Sequence, residues 1–362
     1  MKEFEEIAHS GGKIEFKKSD NGGLSLKFSQ SNPWALAMYQ ICVSLDGKLL
    51  DVVPVGGIGQ KIVYPQPSIL VWIISDRQGF FGRACPNCKS YFRTTYCGKD
   101  IFCPYCGFPN HNLNYTTPNQ LEFITEFCNT FLEAYNGNEN VVINLDDIAN
   151  NLSNNKPQWV YSEEKQQNTY KCEKCRVKYD ILGEYGGCPC CNKRNYLEVI
   201  SKKLEKIDKR FLEAEEKLSD RHDREVEWEN LTRCVSEFEA MANDLKKQLL
   251  TIPTTSKRKS DIENLSFQNI LKVNDCIKNW FGYEILEGLL ENDRKFLNIM
   301  FNRRHVFTHN AGKVDQEYLD NTGDTKVRLN QVIRLRSREI KRLIPLISQI
   351  SKNLIQGFES IN

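Results

Sequence analysis

The chain has 362 residues, of which 40% are hydrophobic and 27% are charged. These proportions are typical of a soluble globular protein with enough residues for two or three domains. The formal net charge of +2 predicts no partner by itself, so a nucleic-acid surface would need local clusters of Lys and Arg. The longest apolar run, "SILVWIIS" at 68–75, is too short for a membrane span, and the first residues lack a secretory signal. We therefore expect a cytoplasmic protein without a membrane partner.

Residues 1–82 are predicted to form a small β-rich domain. Short apolar or alternating runs separated by glycine-rich turns are typical of strands. The runs are "KIEFKKS", "LSLKFSQ", "YQICVSLDGKLLDVV" and "SILVWIIS". The pattern indicates the fold class of this domain but not what it binds.

Eight of the fourteen cysteines fall into two clusters, each reading C-x2-C, a spacer of 14 or 12 residues, and C-x2-C. A disulfide framework is typical of short exported proteins and fits this chain badly. Paired C-x2-C turns present four thiolates in a tetrahedron, and thiolates favour Zn²⁺, with iron as an alternative. The sequence thus predicts two structural Zn²⁺ sites. Their ligands are Cys85, Cys88, Cys103 and Cys106, and then Cys172, Cys175, Cys188 and Cys191.

The two clusters predict zinc ribbons at residues 83–112 and 170–196. Cys190 is an alternative ligand to Cys188, but it would break the C-x2-C spacing. Four thiolates leave no open coordination position, so these ions would not be catalytic. The ribbons are therefore either structural alone or also surfaces for nucleic acid or protein.

A recognition surface is indicated by "KSYFRTTY" in the first ribbon, where cations lie beside aromatic rings that suit unstacked bases. The residues are Lys89, Tyr91, Phe92, Arg93 and Tyr96. "CNKRNY" at 191–196 is a weaker patch of the same kind. Aromatic rings near zinc also serve simply to pack a ribbon, so both interpretations stay open.

Residues 113–169 are predicted to be a helical connector followed by a linker. A helix is expected over 118–135, with Thr117 as the N-cap and Pro118 as the first helical residue. Residues 150–169 are polar and typical of a linker.

Residues 197–362 are predicted to form an all-α helical bundle, because apolar residues recur there at spacings of three and four. The first such series ends at Leu218, and "TIPTTSKRKS" at 251–260 breaks the pattern. A later helix is expected to start near Leu286 and Leu290 and to stop at Gly312. In the last helix, Pro345 predicts either a kink or a start.

The segment "RRHVFTHN" at 303–310 holds two of the five histidines, four residues apart. One interpretation is a solvated helix end, where His305 and His309 stabilise the helix dipole. A second is a metal site, with Asp315 as a third ligand, although the glutamate of the zincin pattern is missing. A third is phosphodiester chemistry, in which histidine acts as base or acid and arginine binds phosphate oxygens. Arg304 and His309 lie about 140° apart on an ideal helix, so a second subunit would complete such a site.

"RHVFTH" resembles the R-x4–6-H motif of the HEPN superfamily, with Arg304 and His309 at its defining positions and His305 at the polar position after the arginine. The segment that follows is similar to HEPN domains of the abortive-infection type, through Asn310, Gly312, Val314 and Asp315. The resemblance covers roughly residues 197–362 and does not extend to the β-rich domain or the ribbons.

The resemblance implies a HEPN-like bundle acting as a metal-independent endoribonuclease, with Arg304, His305 and His309 as catalytic residues. It further implies an RNA substrate, a homodimer or higher homo-oligomer with paired motifs, products with a cyclic phosphate, and an effector of antiviral defence or a toxin. The N-terminal half would then sense a phage or host trigger or position substrate. The alternative is a non-catalytic module that binds nucleic acid or protein and is dimerised by the bundle.

Two further basic features flank the motif. Arg303 is interpreted as either a phosphate contact or a surface charge. Residues 326–342, "KVRLNQVIRLRSREIKR", are expected to form a basic helical stretch that attracts an RNA backbone or is merely solvated.

Overall fold

The structure is a computed structural model. It describes residues 5–8, 11–18, 24–31, 36–55, 63–76, 78–137, 141–151, 160–162, 168–217 and 224–361. The chain divides into two compact units, Met1–Asn195 and Tyr196–Asn362. The first unit is rich in strands and contains both cysteine clusters, and the second is helical. The predicted β-rich N-terminal region and helical C-terminal region are confirmed.

All the strands of the described residues belong to the first unit, and every pairing is antiparallel. They are β1 (Glu5–Ala8), β2 (Lys13–Lys18), β3 (Leu24–Ser29), β4 (Met38–Val43), β5 (Leu49–Pro54), β6 (Ile69–Ile74), β7 (Phe81–Ala84), β8 (Tyr91–Thr94), β9 (Asp100–Phe102), β10 (Pro109–His111), β11 (Val141–Asn144), β12 (Val160–Ser162), β13 (Asn168–Lys171) and β14 (Lys178–Ile181). The four predicted runs correspond to β2 to β6, because the longest run folds back at Gly47 into β4 and β5.

Two three-stranded sheets, in the orders β11-β2-β3 and β5-β4-β6, form the β-rich part of the first unit. Helix α1 (Pro118–Asn136) contributes Phe123 and Phe127 to their common apolar core. Thr117 caps this helix and Pro118 is its first residue, as predicted, and Gln120 completes a capping box. A short α2 (Leu145–Asn150) follows β11.

The ribbons are joined by a four-stranded sheet in the order β13-β14-β8-β7. Strands β7 and β8 form the hairpin of the first ribbon, and β13 and β14 form the hairpin of the second. Thr94 and Arg93 of β8 pair with Tyr179 and Asp180 of β14. Part of the predicted linker at 150–169 is therefore strand, in β12 and the start of β13, and the rest of it lies mainly outside the described residues.

The second unit is built from amphipathic helices. They are α3 (Tyr196–Lys217), α4 (Arg224–Leu249), α5 (Ser256–Glu263), α6 (Ile270–Phe281), α7 (Glu291–Asn310), α8 (Gln316–Thr322) and α9 (Ser337–Ile361). Helix α4 packs against α3, α7 and α9 and buries Leu231, Val235 and Phe238 completely. The phenyl ring of Phe238 contacts Phe301 of α7 edge-on, with 5.8 Å between the ring centroids.

Several helix boundaries differ from the prediction. Helix α7 begins at Glu291, with Leu290 as its N-cap. Leu286 is buried, but it lies in the non-helical segment before the helix. The predicted break at 251–260 is wrong in its second half, where Thr255 caps α5. Pro345 lies inside α9, which begins earlier at Ser337. Leu218 lies outside the described residues.

Among the helices of the described residues, none has both the length and the hydropathy that crossing a bilayer requires.

Candidate functional site

Each of the four C-x2-C turns has the same backbone conformation. The residue four positions after the first cysteine has a positive φ, and its N–H donates to the carbonyl oxygen of that cysteine. These residues are Lys89, Gly107, Arg176 and Asn192, and their hydrogen bonds are 2.8–2.9 Å long. The repeat identifies Cys188, rather than Cys190, as the first cysteine of the fourth turn.

The thiol sulfurs of each cluster converge on one point, all within 4.8 Å of one another. In the first cluster, the sulfur of Cys85 lies 3.7 Å from that of Cys106, and Cys88 lies 3.6 Å from Cys103. Zn–S bonds of about 2.3 Å in a tetrahedron require sulfur separations of about 3.8 Å. The first cluster is therefore suited to hold a metal ion.

The second cluster has the same geometry. The Cys172 and Cys191 sulfurs are 3.6 Å apart, and those of Cys175 and Cys188 are 3.4 Å apart. Cys190 is half-buried and does not belong to the group of converging sulfurs. Two metal-binding sites with the predicted ligands are thus supported by the geometry.

The predicted base-stacking patch of the first ribbon is wrong for two of its residues. Phe92 is fully buried, and Arg93 is 4% exposed. The guanidinium of Arg93 lies 3.0 Å from a carboxylate oxygen of Asp76 and also contacts the carboxylate of Asp180 in β14. Arg93 therefore joins the two ribbons to the end of β6 and is not available to nucleic acid. Only Lys89 in this patch is well exposed.

The weaker patch at 191–196 is also largely structural. Arg194 donates to the carbonyl oxygen of Pro104 at 2.8 Å, which ties the second ribbon to the first. The Tyr196 side chain is fully buried, and its hydroxyl donates to Asp244 at 2.9 Å. Neither residue presents the exposed surface that the prediction required.

The neighbouring arginines of the "RRHVFTHN" segment have different surroundings. Arg303 is 6% exposed, and its guanidinium contacts Asp324 at 3.0 Å and Glu339 at 2.9 Å. Its Nε also donates to the hydroxyl of Tyr318 at 3.2 Å. The interpretation of Arg303 as a surface charge is therefore wrong, and its guanidinium already has two carboxylate partners. It is a buried ion-pair residue that fixes α7 to α8 and α9.

Arg304 lies at the edge of the bundle, where its guanidinium contacts the carboxylate of Glu239 in α4 at 2.8 Å. Burial raises the pKa of Glu239 above the ordinary value, and the positive charge of Arg304 opposes that shift. The second oxygen of Glu239 and the Nε of Arg304 are buried without a hydrogen-bond partner in the described part of the chain. The pair is therefore incompletely satisfied, unlike the network around Arg303.

His305 and His309 lie side by side on the surface of α7, with 4.6 Å between their ring centroids. His305 is half-buried and His309 is exposed. Helix α7 ends just beyond them, because Ala311 and Gly312 both have positive φ. The structure thus brings the two imidazoles together and places the backbone of Arg304 next to His305.

The metal interpretation of these histidines is not supported. Within the described ranges, only the two cysteine clusters bring three or more metal-ligating side chains together. Asp315, the suggested third ligand, instead caps α8 by accepting from the N–H of Tyr318 at 2.8 Å.

Glu239 was missed by sequence analysis. It lies 65 residues before Arg304 and carries no local motif. The sequence offers one hint: Glu239 directly follows Phe238, an apolar residue of the buried face of α4, so its carboxylate lies near the edge of that face.

Comparison of the chain with protein-family models, with curated proteins and with solved structures found no match.

Proposed function

We propose that the C-terminal unit is a metal-independent endoribonuclease of the HEPN type that acts as a homodimer. The observation that carries the proposal is the pair of adjacent imidazoles at the accessible end of α7. The same helix carries Arg304, whose guanidinium is held by one carboxylate. The R-x4–6-H resemblance is consistent with this arrangement.

In the proposed reaction, one imidazole removes the proton of a ribose 2′-hydroxyl, and the 2′-oxygen attacks the adjacent phosphorus. The bond from phosphorus to the 5′-oxygen breaks, and an imidazolium protonates that oxygen. The products are a 2′,3′-cyclic phosphate and a 5′-hydroxyl. The rings of His305 and His309 are adjacent, so one would act as the base and the other as the acid.

Arg304 would stabilise the negative charge on the phosphate oxygens. Because the guanidinium of Arg304 is bound to Glu239, we infer that Glu239 is a positioning residue that orients Arg304. When substrate binds, its phosphate would contact the guanidinium in place of the carboxylate or in addition to it. The exposure of His309 leaves its ring accessible to a second subunit, whose copy of the motif would complete the site.

The bound ions are proposed to be Zn²⁺, since four thiolates at these separations match its preferred tetrahedron. Their role is structural, because the four ligands leave no open position. The N-terminal unit would detect a trigger or position RNA, and the whole protein would act as a cytoplasmic effector of antiviral defence or as a toxin.

The test compares purified wild type with His309→Ala and, as a matched control, with Thr308→Ala. Thr308 is exposed, and its hydroxyl donates to the carbonyl oxygen of Arg304 at 3.0 Å. Each protein receives labelled RNA, with EDTA added only during the assay and zinc content measured afterwards. We expect His309→Ala to lower the cleavage rate by about 10²–10⁴-fold, as loss of a general acid or base does. Thr308→Ala should stay within a few-fold of wild type, and mass spectrometry should find cyclic phosphate ends.

Equal rates for wild type and His309→Ala would exclude the nuclease proposal. The alternative is then a non-catalytic module that dimerises through the bundle and binds nucleic acid or protein. One observation favours that alternative: Arg304 already has a carboxylate partner within its own subunit.

A further inference from the structure

A cavity of about 1150 Å³ lies in the second unit between the segment at 326–336 and the first turn of α9. The segment is not helical, so the predicted basic helix begins only at Ser337. Its cations instead line a concave surface, formed in part by Lys326, Arg334 and Arg336.

The charges that line this cavity do not cancel. Its two carboxylates are already engaged: Glu339 contacts Arg303 at 2.9 Å, and Glu227 accepts from the hydroxyl of Ser337 at 3.1 Å. By contrast, no ion pair holds Lys326, Arg334, Arg336 or Arg338 anywhere in the described part of the chain, and all four side chains are exposed. Four such cations around one concavity create a positive potential that would attract a polyanion.

The cavity is connected to the histidines through the backbone. Val332, which lines it, forms a β-bridge with Lys313. Lys313 closes a tight turn back to Asn310, with the Lys313 N–H donating to the carbonyl of Asn310 at 2.9 Å. A turn of this kind spans less than about 7 Å, so the Cα atoms of Lys313 and His309 are within roughly 11 Å of each other.

The size and chemistry of the cavity favour a strand over a small ligand. Sites for small molecules are usually of about 300–1,000 Å³ and mostly apolar. This cavity is larger and carries arginines, whose guanidinium groups match two phosphate oxygens at once. Val327, Val332 and Leu335 add apolar surface against which bases can pack.

We propose that this cavity binds the phosphates of a single-stranded RNA next to the nucleotide held at His305 and His309. The inference rests on the proposed function, since it takes the substrate of that same site to be RNA. Arg334, Arg336 and Arg338 would bind the RNA phosphates that flank the cleaved nucleotide. An RNA must then be long enough to reach these arginines in order to bind well.

The test is binding of a fluorescent 12-nucleotide RNA in which every 2′-hydroxyl is methylated, so that cleavage by 2′-attack cannot occur. Wild type is compared with the triple variant Arg334→Ser, Arg336→Ser, Arg338→Ser. The control is Lys257→Ser, Lys259→Ser, Lys352→Ser, which removes the same charge from exposed positions on α5 and α9. A second probe, a poly-glutamate peptide of the same charge, is titrated in parallel.

We expect the arginine variant to bind at least tenfold more weakly, with a salt slope lower by about 2, since each single-strand phosphate contact contributes about 0.7. The control should bind within twofold of wild type. Equal losses in the two variants, or no loss in either, would overturn the proposal. Tighter binding of poly-glutamate than of RNA would assign the cavity to an acidic protein and also overturn it.

The same variants separate this inference from the nuclease proposal. If the arginines are needed for binding but wild type does not cleave unmethylated RNA, the cavity assignment stands and the nuclease proposal fails. If wild type cleaves RNA while the arginine variant binds and cleaves like the control, the cavity assignment alone fails.

Discussion

The two ribbons of the N-terminal unit have small cores in which many of the buried residues are cysteines. The C-terminal unit instead buries the apolar faces of its helices. The buried apolar cluster of the second ribbon consists of Tyr179 and Ile181 together with Cys172 and Cys188. Helix α4 alone buries more apolar side chains than that ribbon does, without cross-links. From this difference we infer that bound metal would stabilise the ribbon region, while the hydrophobic effect stabilises the helical unit.

The strongest test of this contrast is removal of the metal. Structural Zn²⁺ contributes about 10–16 kcal/mol of apparent free energy in small zinc modules. We expect a chelator to unfold the ribbon region while the second unit, which holds most of the helix, keeps its circular dichroism signal near 222 nm. Metal analysis before treatment should give two ions per chain. Loss of the helical signal together with the metal would contradict the contrast.

A matched pair of variants sharpens the same test. Cys191→Ser removes one converging sulfur, whereas Cys190→Ser changes the neighbouring thiol that does not converge. The first variant should bind one ion per chain and the second should bind two. Two ions in Cys191→Ser and one ion in Cys190→Ser would place Cys190 in the site instead.

The next largest effect is expected inside the helical unit, where the buried ion pairs of Arg303 are an exception to apolar packing. Arg303→Met would leave Asp324 and Glu339 without their cation, and breaking a buried pair costs about 3–5 kcal/mol. Arg304→Met should cost less, about 1–3 kcal/mol, because Glu239 keeps some access to water. Denaturant unfolding of both variants measures the difference. Equal losses would mean that the two arginines are structurally equivalent.

Acid should weaken the helical unit through Asp324. Burial raises the pKa of this carboxyl, but hydrogen bonds from Tyr318 and the Lys326 N–H, together with Arg303, lower it further, so its pKa is below the ordinary value. Its contribution is therefore complete above about pH 4, the value in the unfolded chain, and is lost as the pH falls through the folded value. We expect Asp324→Asn to be less stable by about 2 kcal/mol at pH 7. Its stability should fall less steeply than that of wild type below pH 4 in urea titrations.

The smallest expected effect concerns the end of α7. Ala311 has φ 50°, a left-handed conformation that costs a non-glycine residue about 1–2 kcal/mol. Ala311→Gly should therefore raise the free energy of unfolding by roughly 1 kcal/mol. Gly312→Ala should lower it, because a Cβ there would lie 2.6 Å from the ring of Phe307 and φ is 79°. Changes of the same sign in thermal melts would contradict this account.

The sequence was sufficient for features that depend on local spacing. The C-x2-C turns predicted both cysteine clusters, and Thr117 with Pro118 predicted the start of α1. Period-two and helical patterns predicted β2 to β6 and the helical unit. In each case the physical cause acts over a few residues, so it can be read without the fold.

The sequence was insufficient where partners are distant along the chain. The salt bridge of Arg93 to Asp180 joins residues 87 positions apart, and that of Arg304 to Glu239 joins residues 65 positions apart. Nothing in "RRH" distinguishes the buried Arg303 from the more exposed Arg304. The helical prediction for 326–336 failed because that segment bonds to 312–314 through its backbone, as in Ile333 N–H to the carbonyl of Gly312 at 2.9 Å.

The pairing of β8 with β14 has a consequence for how the protein can be divided. The two hairpins that meet there are separated in sequence by β9 to β12 and by helices α1 and α2. Excising either ribbon alone would expose the edge of β8 or β14 and would separate Arg93 from Asp180. Grafting or truncation must therefore keep the two hairpins together, and we expect a protease nick in the chain between them to leave the hairpins associated.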